Sequence, residues 1–142
     1  MGGGRKLSEA IDTGYLYHDF KSQGYDYFVG VPCSFLKGFI REMEADNTTE
    51  FIPATREDVA LSMAAGAFMV GRKPLVYIQS SGLGHLVNAI TSLLTPYEIP
   101  VHILVSLRRA PFEHFEMYRI SRDLLKLMNY EHFTIVEEAE PK

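Results

Sequence analysis

The 142-residue sequence has a single cysteine, no long apolar run and no excess of positive charge. Cys33 alone cannot form an internal disulfide, which fits a reducing compartment. The apolar runs stop well short of the about 20 residues that span a bilayer, and the first residues show no signal-peptide pattern. With 14 basic and 18 acidic residues, no basic surface is expected for nucleic acid. We therefore expect a soluble, cytoplasmic protein that binds neither membrane nor nucleic acid.

Metal-binding patterns are also missing. No Cys/His pair has the spacing of zinc ligands and no acidic cluster resembles a calcium loop, so we predict no metal ligands. What is present is an ordinary globular composition, with 46% apolar and 23% charged residues. The length suits one domain, which we place at residues 8–142 after a flexible lead at residues 1–7.

Short apolar segments alternate along the chain with longer segments of helical spacing. The short segments suit strands that are buried on both faces. They are residues 27–31, 51–54, 75–79, 101–105 and 133–137. Helices are expected around Ile11, Leu16 and Phe20 and at residues 35–45, 57–70, 84–94 and 115–128. This alternation predicts an α/β fold, a doubly wound, mostly parallel sheet with helices on both faces.

The loops that follow strands are where such a sheet binds ligands. In the second of these loops Glu57 opens a helix that Thr55 is expected to cap. Glu57 can simply face the helix dipole, or it can be held in an apolar setting to exchange a proton with a bound heterocycle. In the third loop, Ser81-Gly82-Leu83-Gly84 is either a tight turn or a set of backbone amides for an anion or a polar ring edge.

The fourth loop is basic, and the first contains the cysteine. Arg108 and Arg109 can bind a doubly charged acid through paired hydrogen bonds, or they can form surface pairs with glutamates. His114, a little further on, can transfer a proton near neutral pH. Cys33 is either a small buried side chain or a nucleophile, and no activating neighbour is evident in the sequence.

Together these loops resemble the pyrimidine-binding domain of phosphonopyruvate decarboxylases and of the sulfopyruvate decarboxylase alpha subunit, which depend on thiamine diphosphate. The similarity extends over residues 8–130, with the matching stretches in the same order and at similar spacing. They include Gly30-Val31-Pro32-Cys33-Ser34, Ala54-Thr55-Arg56-Glu57, Ala64-Ala65-Gly66-Ala67 and Ser81-Gly82-Leu83-Gly84.

The resemblance implies roles for these residues. Glu57 is expected to hydrogen-bond N1′ of the cofactor's aminopyrimidine ring and to exchange a proton with it. Ser81, Gly82, Leu83 and Gly84 are expected to border the cofactor, and His114 to serve proton transfer. The expected substrate-binding residues are Cys33, Ser34, Arg56, Arg108 and Arg109. The implied reaction converts 3-phosphonopyruvate or 3-sulfopyruvate to the corresponding acetaldehyde and carbon dioxide.

The Gly-Asp-Gly motif through which thiamine enzymes bind the diphosphate and Mg²⁺ does not occur in this sequence. We therefore expect a separate diphosphate-binding (beta) subunit that holds most of the contacts to Mg²⁺, in an α2β2 assembly or a multiple of it. His85 and Phe112 depart from the family pattern, so a noncatalytic or regulatory binding subunit is the alternative. A stand-alone flavodoxin-like nucleotide-binding module is a third interpretation.

Overall fold

The computed structural model describes residues 12–137, which form a five-stranded, wholly parallel sheet flanked by helices. The strands are β1 Tyr27–Gly30, β2 Glu50–Pro53, β3 Pro74–Gln79, β4 His102–Leu107 and β5 Phe133–Glu137. All five predicted strands are present, with ends shifted by no more than two residues. The predicted lead at residues 1–7, and residues 8–11 and 138–142 of the predicted domain, lie outside the described residues.

Helices cover both faces of the sheet. They are α1 Gly14–Ser22, α2 Lys37–Ala45, α3 Glu57–Met69, the single turn α4 Val87–Ala89, and α5 Phe115–Leu127. Because successive strand residues point to opposite faces, Leu75 and Tyr77 pack with α1 and α2, whereas Val76 and Ile78 pack with α3 and α5. The prediction of a doubly wound α/β fold is confirmed. Within residues 12–137, none of the helices has the length and apolar character needed to cross a membrane.

Burial differs between the central and the outer strands. β1 is buried throughout, and β3 and β4 are buried except at one end. This explains their continuous apolar runs, since helices cover both of their faces. The outer strands β2 and β5 are mostly half-buried.

Glycine ends two of the helices. Gly24 after α1 and Gly71 after α3 have positive φ angles of 90° and 89°. After α3, the Gly71 N–H donates to the Phe68 carbonyl at 2.9 Å and the Arg72 N–H donates to the Ala67 carbonyl at 3.0 Å. These are the bonds of a Schellman motif, which a residue without a Cβ adopts most readily. The motif ends α3 and returns the chain to β3.

The helix expected at residues 84–94 has a different form. The chain makes 3₁₀ turns over Ser80–Leu86, the single turn α4, and a π-helical turn over Ile90–Leu94. Glycine has low helix propensity, and two glycines fall in the 3₁₀ segment, where Gly82 packs against the Glu57 side chain. Helical structure starts at Ser80, directly after β3, and Ser81 and Gly82 lie in a tight 3₁₀ turn at the sheet edge.

The strand order places a crevice between β1 and β3. The spatial order is β2-β1-β3-β4-β5, so the chain reverses its direction of winding between these two central strands. α2 follows β1 onto one face, and the 3₁₀ segment follows β3 onto the other. In open parallel sheets, ligands bind in the crevice that such a switch point leaves at the carboxyl ends of the strands.

Candidate active site

Glu57 is the first residue of α3 and lies just beyond the carboxyl end of β2. Its side chain is 14% exposed, and its Oε2 lies 2.9 Å from Nδ1 of His85. When Glu57 is a carboxylate, which can only accept hydrogen bonds, Nδ1 of His85 is the donor of this bond. The expected cap from Thr55 is wrong, because Arg56 occupies the N-cap position in an extended conformation without a side-chain capping bond.

Gly82 lies directly against the Glu57 carboxylate. A Cβ atom at position 82 would stand 2.3 Å from Glu57 Oε1, which is closer than non-bonded atoms approach. At Gly84, by contrast, a Cβ atom would meet nothing within 4 Å. Leu83 between them is fully buried and anchors the turn in the core. With Glu57 in this position, only glycine fits at position 82, whereas a larger residue fits at position 84.

A second group of polar side chains surrounds Gln79, the last residue of β3. Arg108 Nη1 donates to Gln79 Oε1 at 3.2 Å and to Ser34 Oγ at 3.3 Å. Nε2 of Gln79 donates to Ser81 Oγ at 2.7 Å and lies 3.3 Å from His114 Nδ1. Residues that follow β1, β3 and β4 thus meet at one point, as the carboxyl ends of parallel strands do. We call these five residues the Gln79 network.

Arg108 has unused hydrogen-bonding capacity. Its backbone N–H donates to Ser80 Oγ at 3.2 Å, but its side-chain Nε is buried and has no hydrogen-bond partner within residues 12–137. Leaving a buried donor without an acceptor is costly. Because Nε is enclosed by protein atoms, an incoming anionic ligand would meet the Nη atoms of the guanidinium and not Nε.

The contacts described for the other two predicted arginines go elsewhere. Arg56 donates to both carboxylate oxygens of Asp58, at 3.0 and 3.1 Å. Partial desolvation acts to raise the pKa of Asp58, but the hydrogen bonds from Arg56 hold it below its usual range. Arg109 donates to the Tyr118 hydroxyl at 2.5 Å, and its guanidinium lies 4.7 Å from the centre of that ring. Their assignment to the substrate stays a prediction.

Cys33 and Ser34, which are adjacent in the first loop, have different surroundings. Cys33 is 9% exposed, and its Sγ lies 3.3 Å from the buried hydroxyl of Ser106. The exposed Ser34 contacts Arg108 instead. The contact described for the thiol is thus with a hydroxyl and not with a base, so it does not favour a nucleophile. A role for Cys33 in substrate binding stays a prediction.

Gln79 and His85 are absent from the predicted site residues. Each acts through a partner far away in sequence: His85 contacts Glu57 28 positions earlier, and Gln79 lies 35 positions before His114. For Gln79 a signal did exist, because it is the one side chain of β3 that is neither aliphatic nor aromatic, and it stands at the carboxyl end of the strand. His85 stood out only as a departure from the family pattern.

The Glu57 carboxylate and the Gln79 network are neighbours. Ser81 belongs to the network, and the next residue, Gly82, contacts Glu57. Beside His85, an open groove of about 600 Å³ runs between α3 and α4, with Val59 and Met63 among its lining residues. No group of three or more His, Cys, Asp or Glu side chains within residues 12–137 is placed to hold a metal ion.

Comparison with known proteins identifies the class to which this chain belongs. Residues 14–128 match the family model for the N-terminal TPP binding domain of thiamine pyrophosphate enzymes. A chain of 2-oxoglutarate:ferredoxin oxidoreductase from Magnetococcus marinus shares the fold, with a TM-score of 0.59 over 90% of this chain and 27% of that chain, at 14% identity. The protein is therefore of the thiamine pyrophosphate enzyme class.

Two curated relatives define the family more narrowly. Sulfopyruvate decarboxylase subunit alpha from Methanothermobacter thermautotrophicus is 34% identical over 89% of this chain and 79% of that protein. Phosphonopyruvate decarboxylase from Streptomyces viridochromogenes is 38% identical over 76% of this chain and 28% of that protein. This chain belongs to the family of sulfopyruvate decarboxylase alpha subunits and phosphonopyruvate decarboxylases within the thiamine pyrophosphate enzymes. The predicted resemblance is confirmed.

Proposed function

We propose that this chain is the pyrimidine-binding subunit of a decarboxylase that converts 3-sulfopyruvate or 3-phosphonopyruvate to the corresponding acetaldehyde and carbon dioxide. Bound thiamine diphosphate supplies the nucleophilic carbon and the electron sink that decarboxylation of a 2-oxo acid requires. The observation that carries the proposal is the position of the Glu57 side chain. It is 14% exposed and lies at the carboxyl ends of the sheet strands, in a domain of the TPP-binding family.

The residues around Glu57 fit the aminopyrimidine half of the cofactor. His85 engages Oε2, while the glycine at position 82 lets the turn pack directly against the Oε1 side of the carboxylate. A carboxylate shielded from water makes stronger hydrogen bonds than a solvated one. In the proposal, Glu57 holds and exchanges a proton at N1′ of the ring, and the turn from Ser81 to Gly84 borders the cofactor.

The Gln79 network is the proposed substrate subsite. Both candidate substrates carry two acidic groups, a carboxylate and a sulfonate or phosphonate. In the proposal, Arg108 and Ser34 bind one of these groups, because guanidinium and hydroxyl groups donate to oxyanions. His114 lies at the same edge and is the proposed group for proton transfer. Sulfonate and phosphonate each present three oxygens on a tetrahedral centre, so the same donors serve either.

A partner subunit completes the proposed site. Relatives named subunit alpha imply such a partner, and we assign to it the binding of the diphosphate and most contacts to Mg²⁺, in an α2β2 assembly or a multiple of it. The surface of α3 supports contact with another chain. Its alanines pack against the sheet. The opposite side of the helix and its C-cap carry large apolar side chains that are between 36% and 79% exposed: Val59, Met63, Phe68, Met69 and Val70. Apolar patches of this kind mark interaction surfaces.

The test is reconstitution of the chain with its partner subunit, thiamine diphosphate and Mg²⁺, followed by measurement of carbon dioxide released from each acid. We expect turnover of at least one acid, and a loss of about 100-fold or more in Glu57→Gln, because the amide cannot exchange the proton. Glu44→Gln, an exposed change on α2, is the control and should leave turnover unchanged.

Two results contradict the proposal. Full turnover by Glu57→Gln in a correctly assembled complex would show that the carboxyl group has no part in proton exchange. An assembled wild-type complex that turns over no 2-oxo acid would favour the noncatalytic binding subunit instead.

A further inference from the structure

The orientation of the Gln79 amide is determined by Arg108. A guanidinium group has donors and no acceptor, so it must face the amide oxygen of Gln79. Arg108 Nη1 lies 3.2 Å from that oxygen, Oε1. The opposite orientation would bring the hydrogens of Nε2 against those of Nη1. The amide nitrogen of Gln79 therefore points to the other side of the network, toward Ser81 and His114.

The two hydrogens of Gln79 Nε2 meet two neighbours. Ser81 Oγ lies at 2.7 Å and His114 Nδ1 at 3.3 Å. A hydrogen bond donated to Nδ1 requires a lone pair on that nitrogen, and a neutral imidazole has a lone pair on only one of its nitrogens. Neutral His114 must therefore carry its proton on Nε2.

The same reasoning gives the direction of the serine hydroxyls. Ser81 accepts from Gln79, and Ser34 accepts from Arg108 at 3.3 Å. Each hydroxyl thus keeps its own hydrogen for another acceptor. Together with Arg108 and Nε2 of His114, the network presents several donor hydrogens, and the acceptor Oε1 of Gln79 is already engaged.

We propose that Gln79 is a positioning residue that sets the Nε2–H tautomer of His114 and makes the subsite a set of donors, selective for anionic oxygen groups such as carboxylate, sulfonate or phosphonate. The identity of the ligand rests on the proposed function. The tautomer of His114 does not, because it follows from hydrogen-bond geometry alone.

The tautomer is measured by ¹⁵N NMR of the full chain with labelled histidine rings. The chain has five histidines, and the signal of His114 is assigned by its loss in His114→Gln. We expect the Nε2–H form in the wild type and a shift toward the Nδ1–H form in Gln79→Glu, whose carboxylate accepts a hydrogen bond where the amide donated one. Gln79→Met, which has no hydrogen-bonding group, should give a mixture. The other four histidines are internal controls.

A wild-type His114 in the Nδ1–H form would overturn the inference, and so would an unchanged tautomer in folded Gln79→Glu and Gln79→Met. The wild-type measurement decides the assignment even where a variant does not fold, which a melting curve shows.

In the reconstituted complex we expect Gln79→Glu to raise KM for the acid by about tenfold or more, because a carboxylate now faces the anion. Gln23→Glu adds the same charge at the end of α1 and should leave KM unchanged.

The two readouts separate the failures. Should the complex be inactive on every 2-oxo acid while His114 shows the Nε2–H form, the proposed function fails and the assignment of Gln79 stands. Should turnover be normal and KM unaffected by Gln79→Glu, the donor subsite is wrong and the proposed function stands.

Discussion

The two halves of the site differ in hydrogen-bonding character and in what holds them in place. On the α3 side, Glu57 offers an acceptor whose position depends on close packing against Gly82. On the β4 side, Arg108 and His114 are held by hydrogen bonds that converge on Gln79. The first half depends on the shape of one turn, and the second on side chains from three loops.

This difference predicts that the two halves of the site respond differently to substitutions. A group held by packing is displaced by one added atom, while the loss of a single hydrogen bond affects it less. A group held by hydrogen bonds tolerates small changes in shape but not the loss of a donor with the required geometry. The following substitutions test this contrast in the reconstituted complex.

The largest effect is expected from Gly82→Ala. The new Cβ would overlap the end of the Glu57 side chain, which is flexible and can swing aside without unfolding the domain. We expect turnover to fall about 100-fold, as in Glu57→Gln, with little change in melting temperature. Carbon dioxide release and a thermal melt measure the two quantities.

Gly84→Ala is the matched comparison for Gly82→Ala. It adds the same atom two residues further on, where no described atom lies within 4 Å and Glu57 is not disturbed, so we expect a smaller loss of about tenfold or less, from the proposed place of Gly84 beside the cofactor. Equal losses in the two alanine variants would mean that the turn as a whole, and not the contact with Glu57, sets activity.

An intermediate effect is expected from Arg108→Lys. A single ammonium group cannot reproduce the planar guanidinium that contacts both Ser34 and Gln79. We expect KM for the acid to rise about tenfold, with a smaller change in kcat. Steady-state kinetics with each acid measure both constants.

Arg109→Lys is the control for Arg108→Lys. The contacts described for Arg109 are with Tyr118, so this substitution should lower the melting temperature and raise KM less than Arg108→Lys does. A matching rise in KM would place Arg109 in the substrate subsite beside Arg108.

The same contrast explains what could be predicted from sequence. The strands follow from local apolar runs, and so does the place of Glu57 at a strand-to-helix junction, whereas its role is implied only by the family resemblance. Asp58 lies only two residues after Arg56, so that contact could have been anticipated, whereas the contact of Arg109 with Tyr118 spans nine residues and is not evident in the sequence. The helix form after β3 differs from expectation because two glycines, which have low helix propensity, fall in the 3₁₀ segment.

The smallest effect is expected from His85→Asn. The imidazole is 56% exposed and makes one hydrogen bond to Glu57, at 2.9 Å. An asparagine amide can donate a similar bond, and Gly82 still positions the carboxylate, so we expect kcat/KM to stay within about threefold of wild type. His85→Leu removes the donor and should cost more, about tenfold. A loss in His85→Asn as large as in Glu57→Gln would show that a hydrogen bond, and not packing, holds Glu57, and the two halves of the site would then be held in the same way.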